Sequence, residues 1–159
     1  MSIEIERRFL IKNTSWENLI DKKIVIVQGY LLSNTNGWIV RIRSENNKFK
    51  LTLKKHINNS SNYEFEYEIP KIEGEMIISE LKNPILKERF YLNFREKEWI
   101  VDRFKGKNFP LEIAEIELKT INDQINLPSF LSTEITGLKE FSNFELSNKP
   151  FSNWDQKIY

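Results

Sequence analysis

Seven short stretches of this sequence alternate charge with hydrocarbon, and within most of them the charges carry one sign. Glu4, Glu6 and Arg8 alternate with Ile3, Ile5 and Phe9; Arg41 and Arg43 with Val40 and Ile42; Lys50, Thr52 and Lys54 with Leu51 and Leu53. Glu64, Glu66 and Glu68 alternate with Phe65, Tyr67 and Ile69, and Glu115 and Glu117 with Ala114, Ile116 and Leu118. Lys87 and Arg89 share a face that Leu86 and Phe90 leave, and Asp102 lies off the face of Val101. A solvated sheet face explains any one of these pairs. It does not explain blocks by sign, because like charges side by side on a strand are unfavourable. A bound polyanion with its metals explains them. Lysine and arginine neutralise phosphate oxygens, arginine through a bidentate fork. Clustered carboxylates hold hard cations such as Mg²⁺ or Mn²⁺. Phosphoryl transfer needs both, since its catalysis is mostly positioning and charge stabilisation.

Side chains that alternate at period two need strands to position them. The pattern predicts strands over 3–11, 23–32, 37–44, 47–55, 62–70, 86–94, 97–103 and 112–120. Asn36-Gly37, Asn46-Asn47 and Lys105-Gly106-Lys107 read as turns. Short helices are expected near 14–21, capped by Thr14 or Ser15, near 73–82 and near 137–147. Eight short strands with close turns make an antiparallel barrel or sandwich. In a closed barrel the charged faces converge on one lumen and the aliphatic faces pack against helices outside.

The 159 residues suit a single domain spanning 1–159. Cysteine is absent and His56 is the one histidine, so thiolate, disulfide and Cys/His zinc chemistry are excluded. His56 sits in a polar, Lys- and Asn-rich stretch with no nucleophile elbow to serve. With 24 basic and 23 acidic residues the chain lacks the excess of a dedicated nucleic-acid binder. No apolar run approaches the ~18 residues of a membrane span, and the acidic N-terminus lacks the core of a signal peptide. A cytoplasmic protein without membrane contact is expected, and a homodimer is compatible with the pattern. Five glycines form no phosphate-cradling loop, so side chains must bind any phosphate. Trp16, Trp38, Trp99 and Trp154 read as packing residues, because no basic stripe accompanies them.

At Glu4-Ile5-Glu6-Arg7-Arg8 the chain resembles the E-x-E-x-K signature of the CYTH family, the triphosphate tunnel metalloenzymes. The resemblance continues in order through Gln28-Gly29-Tyr30-Leu31, Val40-Arg41-Ile42-Arg43, Leu51-Thr52-Leu53-Lys54 and Tyr63-Glu64-Phe65-Glu66. It goes on through Lys87-Glu88-Arg89-Phe90, Val101-Asp102-Arg103-Phe104-Lys105-Gly106, Ala114-Glu115-Ile116-Glu117-Leu118 and Glu134-Ile135-Thr136-Gly137. It implies a mainly β fold: a closed eight-stranded antiparallel tunnel with a few short flanking helices. It also implies a triphosphate-bearing small molecule as substrate and Mg²⁺ or Mn²⁺ as cofactor. Short bacterial members of this kind look most like inorganic triphosphatases. A nucleotidyl (adenylate) cyclase, a nucleoside or thiamine triphosphatase, and a polyphosphate- or nucleotide-binding module without turnover are the alternatives.

By that resemblance Glu4, Glu6, Glu115 and Glu117 are metal carboxylates, with Glu66 and Asp102 as further candidates. Arg8, Arg41, Arg43, Lys54, Lys87 and Arg89 hold phosphate oxygens. Glu4, Glu6, Arg8 and Tyr30 form the catalytic set. Lys50 and Glu68 belong to the rim. Three positions depart from the family pattern: Arg8 replaces a lysine, Asn62 stands where an arginine often precedes the E-x-E strand, and Glu140 replaces a basic residue. Arginine does not deprotonate, so a proton-transfer role is not expected at position 8.

Overall fold

A computed structural model describes residues 3–33 and 36–155. The expected domain limits, residues 1 and 159, lie outside the described residues. The alternating stretches form strands β1 (Ile3–Ile11), β2 (Ile20–Ser33), β3 (Trp38–Glu45), β4 (Lys48–His56), β5 (Ser61–Ile69), β6 (Ile85–Phe94), β7 (Lys97–Phe104) and β8 (Glu112–Leu118), with a further strand β9 (Leu131–Glu134). They make one sheet in the order β5-β4-β3-β2-β6-β7-β8-β1-β9, and β1 also pairs with β5. Eight strands therefore close a ring, all of it antiparallel. The closing pair runs only from Ile3↔Tyr63 to Ile5↔Ser61. Farther along, the same edge of β1 is taken by β9, at Phe9↔Glu134 and Ile11↔Leu131.

Register decides which side chains meet, because directly opposed residues share a face. Glu6 faces Glu117 and Arg8 faces Glu115. Tyr30 faces Arg41 and Gln28 faces Arg43. Thr52 lies between Arg41 and Glu66, Lys54 faces Glu64, and Arg89 faces Asp102. Every alternating charge block thus lands on one inner face. The tight turns that hold this register have both central residues at positive φ: Asn46 (48°) with Asn47 (64°), and Arg95 (50°) with Glu96 (61°). The first pair is the Asn-rich primed turn expected. The second has neither Asn nor Gly, so strand pairing rather than turn preference sets it.

The core is split between the outer face of the sheet and one end of its inner face. Phe9, Trp16, Phe90, Leu92, Trp99, Val101 and Phe130 pack in one cluster over β1, β6, β7 and β8. Helix α1 (Lys71–Ser79) lies on β3 and β4, so close that a Cβ on Gly74 would run into the Phe49 ring. A second cluster joins Leu10, Ile85, Phe104, Leu111 and Ile113 to Ile135, Phe141, Leu146 and Phe151 of the C-terminal segment. That segment includes helix α2 (Asn143–Asn148).

Several expectations need correction. The helix near 14–21 is a single 3₁₀ turn, Ser15–Leu19, and β2 starts at Ile20. Neither Thr14 nor Ser15 caps it with a side chain; Asn13 Oδ1 accepts from Ser15 N and Oγ instead. The helix expected over 73–82 starts earlier, after Pro70, whose fixed φ suits a helix start. The helix near 137–147 divides into a 3₁₀ turn, Lys139–Phe141, and α2. Strand β8 stops at Leu118, short of 120, because Lys119 N and Thr120 Oγ1 both donate to Asp123 and turn the chain. Strand β9 has too few residues for a period to show.

Candidate active site in the barrel lumen

The ring order sorts the lumen charges into two walls. Strands β8, β1 and β5 are neighbours and bring Glu115, Glu117, Glu4, Glu6, Glu64 and Glu66. Strands β4, β3, β2 and β6 follow and bring Lys50, Lys54, Arg41, Arg43, Lys87 and Arg89. Three residues are exceptions, Arg8 on the acidic wall, Glu45 on β3 of the basic wall and Asp102 on β7, and each pairs with opposite charge beside it. Arg8 Nε lies 3.7 Å from Glu115, and Asp102 receives both Arg89 Nε and NH2 at 2.8 Å.

The walls meet where β4 joins β5, which in turn pairs with β1. Lys54 Nζ sits 2.7 Å from Glu4 and 3.3 Å from Glu64, and Arg41 reaches Glu64 at 3.5 Å and Glu66 at 3.4 Å. Burial alone would lower the Lys54 ammonium, yet Glu6, Glu4 and Glu64 together push it above its usual range. Burial likewise opposes ionisation of Glu64, but Lys54 and Arg41 hold its carboxyl below the usual range. Glu4 is different. Its burial, with Glu6 and Glu64 adding repulsion, lifts its carboxyl to about 7 despite Lys54.

The acidic wall holds more negative charge than its partners neutralise. Glu6 is raised by burial and then by Glu115, and Glu117 by burial and then by Glu4, Glu64 and Glu115. Among the described residues no three acidic groups converge closely enough to grip an ion as they stand. Several carboxylates are instead drawn toward Lys54, Arg41 and Arg89. The donors are nonetheless all oxygen, and repulsion among buried carboxylates is what a divalent cation relieves. The residues therefore fit a hard metal ion.

At the other end of the lumen Lys87 is fully buried, donating to Asp102 at 2.5 Å and to Asn143 Oδ1 of α2 at 3.1 Å. The Phe104 ring lies 5.4 Å away. Burial lowers this ammonium to about 7, with Arg89 and Arg43 adding to the effect and Asp102 opposing it. Arg43 is pushed down to about 10 by burial and by Arg41 and Arg89. Asp102 is held far below its usual range by Arg89 and Lys87, against its burial. The C-terminal segment closes over this end. Arg8 NH2 donates to the Phe141 carbonyl at 3.1 Å, and the Phe144 ring packs edge-on to Tyr30 at 5.3 Å.

The structure brings Glu4, Glu6, Arg8, Arg41, Arg43, Lys54, Lys87, Arg89, Glu115 and Glu117 to one lumen by register, as the alternation predicts. It places Asp102 among cations, with both carboxylate oxygens engaged. Glu66 sits by Lys50 at 3.0 Å, toward the rim. Asn62 is buried opposite Glu4, while Glu140 is exposed and outside the lumen. The site set read from sequence left out Glu64, which lies within ion-pair distance of two lumen cations, and Gln28, which bonds Tyr30 and Arg43. Both share the period-two face of residues already singled out, and that spacing could have marked them.

Residues 2–147 match the model of the CYTH domain. The chain is 34% identical over 158 residues to an inorganic triphosphatase of Acetivibrio thermocellus, covering 98% of this chain and 100% of that protein. It also superposes on the crystal structure of an inorganic triphosphatase with 26% identity and a TM-score of 0.67, covering 92% of this chain and 95% of that one. A protein from Pyrococcus horikoshii shares the fold at 18% identity and a TM-score of 0.58, over 75% of this chain and 80% of that one.

Proposed function

The chain belongs to the CYTH domain family, and we propose that it hydrolyses inorganic triphosphate to pyrophosphate and phosphate with a divalent cation. One observation carries this reading: a basic wall and an acidic wall face each other across one closed lumen. The names of the relatives described above support it. Arg41, Arg43, Lys54, Lys87, Arg89 and Arg8 bind the phosphate oxygens. Glu4, Glu6, Glu115 and Glu117 would hold the metal, with Glu64 beside them.

Binding is an exchange of partners. Phosphate oxygens take over Lys54 and Arg41, which otherwise sit on Glu4, Glu64 and Glu66. The released carboxylates would then be free to hold a cation. Mg²⁺ or Mn²⁺, when bound, neutralises charge on the phosphate oxygens and acidifies a water. A carboxylate of the acidic wall would orient a water in line with the terminal phosphorus. The basic wall holds the departing pyrophosphate, whose growing charge the arginine forks stabilise. Asp102 orients Arg89 and Lys87 and stays off the metal.

Arg8 joins Glu115 to the Phe141 carbonyl. It acts as a fixed charge and a tie to the C-terminal segment, not as a base. Arg8→Ala is expected to raise KM for inorganic triphosphate about tenfold, worth about 1.4 kcal/mol, and Arg8→Lys to change kcat by less than about threefold. A tenfold gain of kcat in Arg8→Lys would show that a titratable amine belongs at this position. The reading as a whole is tested with inorganic triphosphate, ATP and thiamine triphosphate in parallel, assaying phosphate, pyrophosphate and cyclic nucleotide. Fastest release of phosphate and pyrophosphate from inorganic triphosphate is expected. Cyclic nucleotide from ATP would favour the cyclase alternative, and tight binding without products would favour a binding module.

A further inference from the structure

Gln28 is fully buried on β2, two residues before Tyr30 and on the same face. A guanidinium can only donate. Arg43 Nε, 2.9 Å from Gln28 Oε1, therefore fixes that oxygen as the acceptor and turns the amide nitrogen the other way. The nitrogen donates to Tyr30 Oη at 3.0 Å. Tyr30 is thus an acceptor at this contact, and its own proton must point elsewhere. Among the described residues none accepts it. The Phe144 ring, edge-on at 5.3 Å, holds the phenol ring in place.

A second donor next to it also lacks an acceptor. Arg41 is the cross-strand partner of Tyr30, on the same face, and its Nε is buried with no partner among the described residues. Arg41 spends its NH2 on Thr52 and Glu66. Buried donors without acceptors are costly and uncommon. The buried Arg41 Nε and the part-buried Tyr30 hydroxyl, neighbours on a lumen wall, point to an oxygen-rich anion.

We propose that Gln28 is a positioning residue that holds the Tyr30 hydroxyl as a hydrogen-bond donor toward a phosphate oxygen in the lumen. This rests on the reading of the lumen as a polyphosphate site. The chain of bonds runs one way: Arg43 donates to Gln28, Gln28 to Tyr30, and Tyr30 to the ligand. Burial pushes the phenol above its ordinary range, so the proton stays on the oxygen and Tyr30 serves as a donor rather than a base. Neither Gln28 nor the direction of its amide is marked by charge, so the alternation of charge on the strands does not reveal it.

A double-mutant cycle tests the proposal, with Gln28→Glu, Tyr30→Phe and the double variant compared with the wild type. Gln28→Glu keeps an acceptor for Arg43 but has no donor, so Tyr30 turns its proton to the new carboxylate and away from the ligand. Affinity for inorganic triphosphate is measured by calorimetry in chelator, and kcat and KM are measured with Mg²⁺. Gln28→Glu is expected to lower affinity and kcat about tenfold or more in the Tyr30 background, and by at least fivefold less in the Tyr30→Phe background. The new negative charge repels phosphate equally in both backgrounds, so it cancels in the cycle. Equal losses in both backgrounds would overturn the proposal. Gln28→Met, which frees the Tyr30 hydroxyl, is run as a second cycle with the same criterion if Gln28→Glu unfolds. A wild type that binds triphosphate without turnover would sink the hydrolase reading, and the calorimetric cycle would still decide the role of Gln28. A wild type that binds no triphosphate would overturn both.

Discussion

Glu6→Gln is expected to cut turnover of inorganic triphosphate about 100-fold, worth about 2.7 kcal/mol of barrier, while leaving thermal stability unchanged or raised. The two effects have one origin. Glu6 lies on the acidic wall opposite Glu117, is raised by burial and by Glu115, and has no cation within ion-pair distance among the described residues. In the free protein this carboxylate is a burden, because burying a charge without a partner costs free energy. The amide keeps the shape and removes the repulsion. In the proposed mechanism the same carboxylate would hold the metal, and the amide would be a much poorer ligand. The check pairs steady-state kinetics over a range of Mg²⁺ with a thermal unfolding scan. Lost activity should be partly recovered at high Mg²⁺. A variant that keeps its activity but melts many degrees lower would mark Glu6 as a structural residue and remove it from the metal set.

Asp102→Asn should do the reverse and act mainly on folding. Asp102 neutralises two buried cations, Lys87 with no exposed side-chain surface and Arg89 with 10%. Breaking a buried pair by removing one partner typically costs about 3–5 kcal/mol, against a total stability of about 5–15 kcal/mol for a domain. The two cations respond differently. Burial already holds the Lys87 ammonium at about 7, so it can shed its proton when Asp102 is gone. Arg89 cannot deprotonate. The loss in Asp102→Asn should therefore be partly restored by adding Lys87→Met, which fills the apolar surroundings of Phe104 without a charge. Urea unfolding of the wild type, the single variant and the double variant measures this. A single variant as stable as the wild type but needing much more Mg²⁺ would return Asp102 to the metal candidates, where the family resemblance put it.

Asp102 also shows where sequence stops being informative. The alternation of charge and hydrocarbon located the eight barrel strands to within a few residues, because a one-residue slip would turn every buried charge to the wrong face. It identified the lumen side chains for the same reason. What it could not show is pairing across the lumen. One strand does not reveal that Asp102 opposes Arg89, or that Glu64 rather than Glu66 lies between Lys54 and Arg41. Those depend on register and on which strands adjoin when the ring closes. Strand β9 and the divided C-terminal helices were hard to read because they are short and have no lasting period. They take their shape from packing Phe141, Leu146 and Phe151 against the barrel end. Gln28 was missed because it is neutral, although it stands on the same face as Tyr30.

The division of the lumen into a basic wall for phosphate and an acidic wall for metal is the center of the proposed mechanism. Its most direct test is hydrolysis of inorganic triphosphate followed by phosphorus NMR, with Mg²⁺, with Mn²⁺, and with excess chelator. Conversion to pyrophosphate and phosphate with either cation is the predicted result, with loss of turnover in chelator and recovery when the metal is restored. Undiminished conversion in excess chelator would contradict it, because the acidic wall would then have no cation to hold.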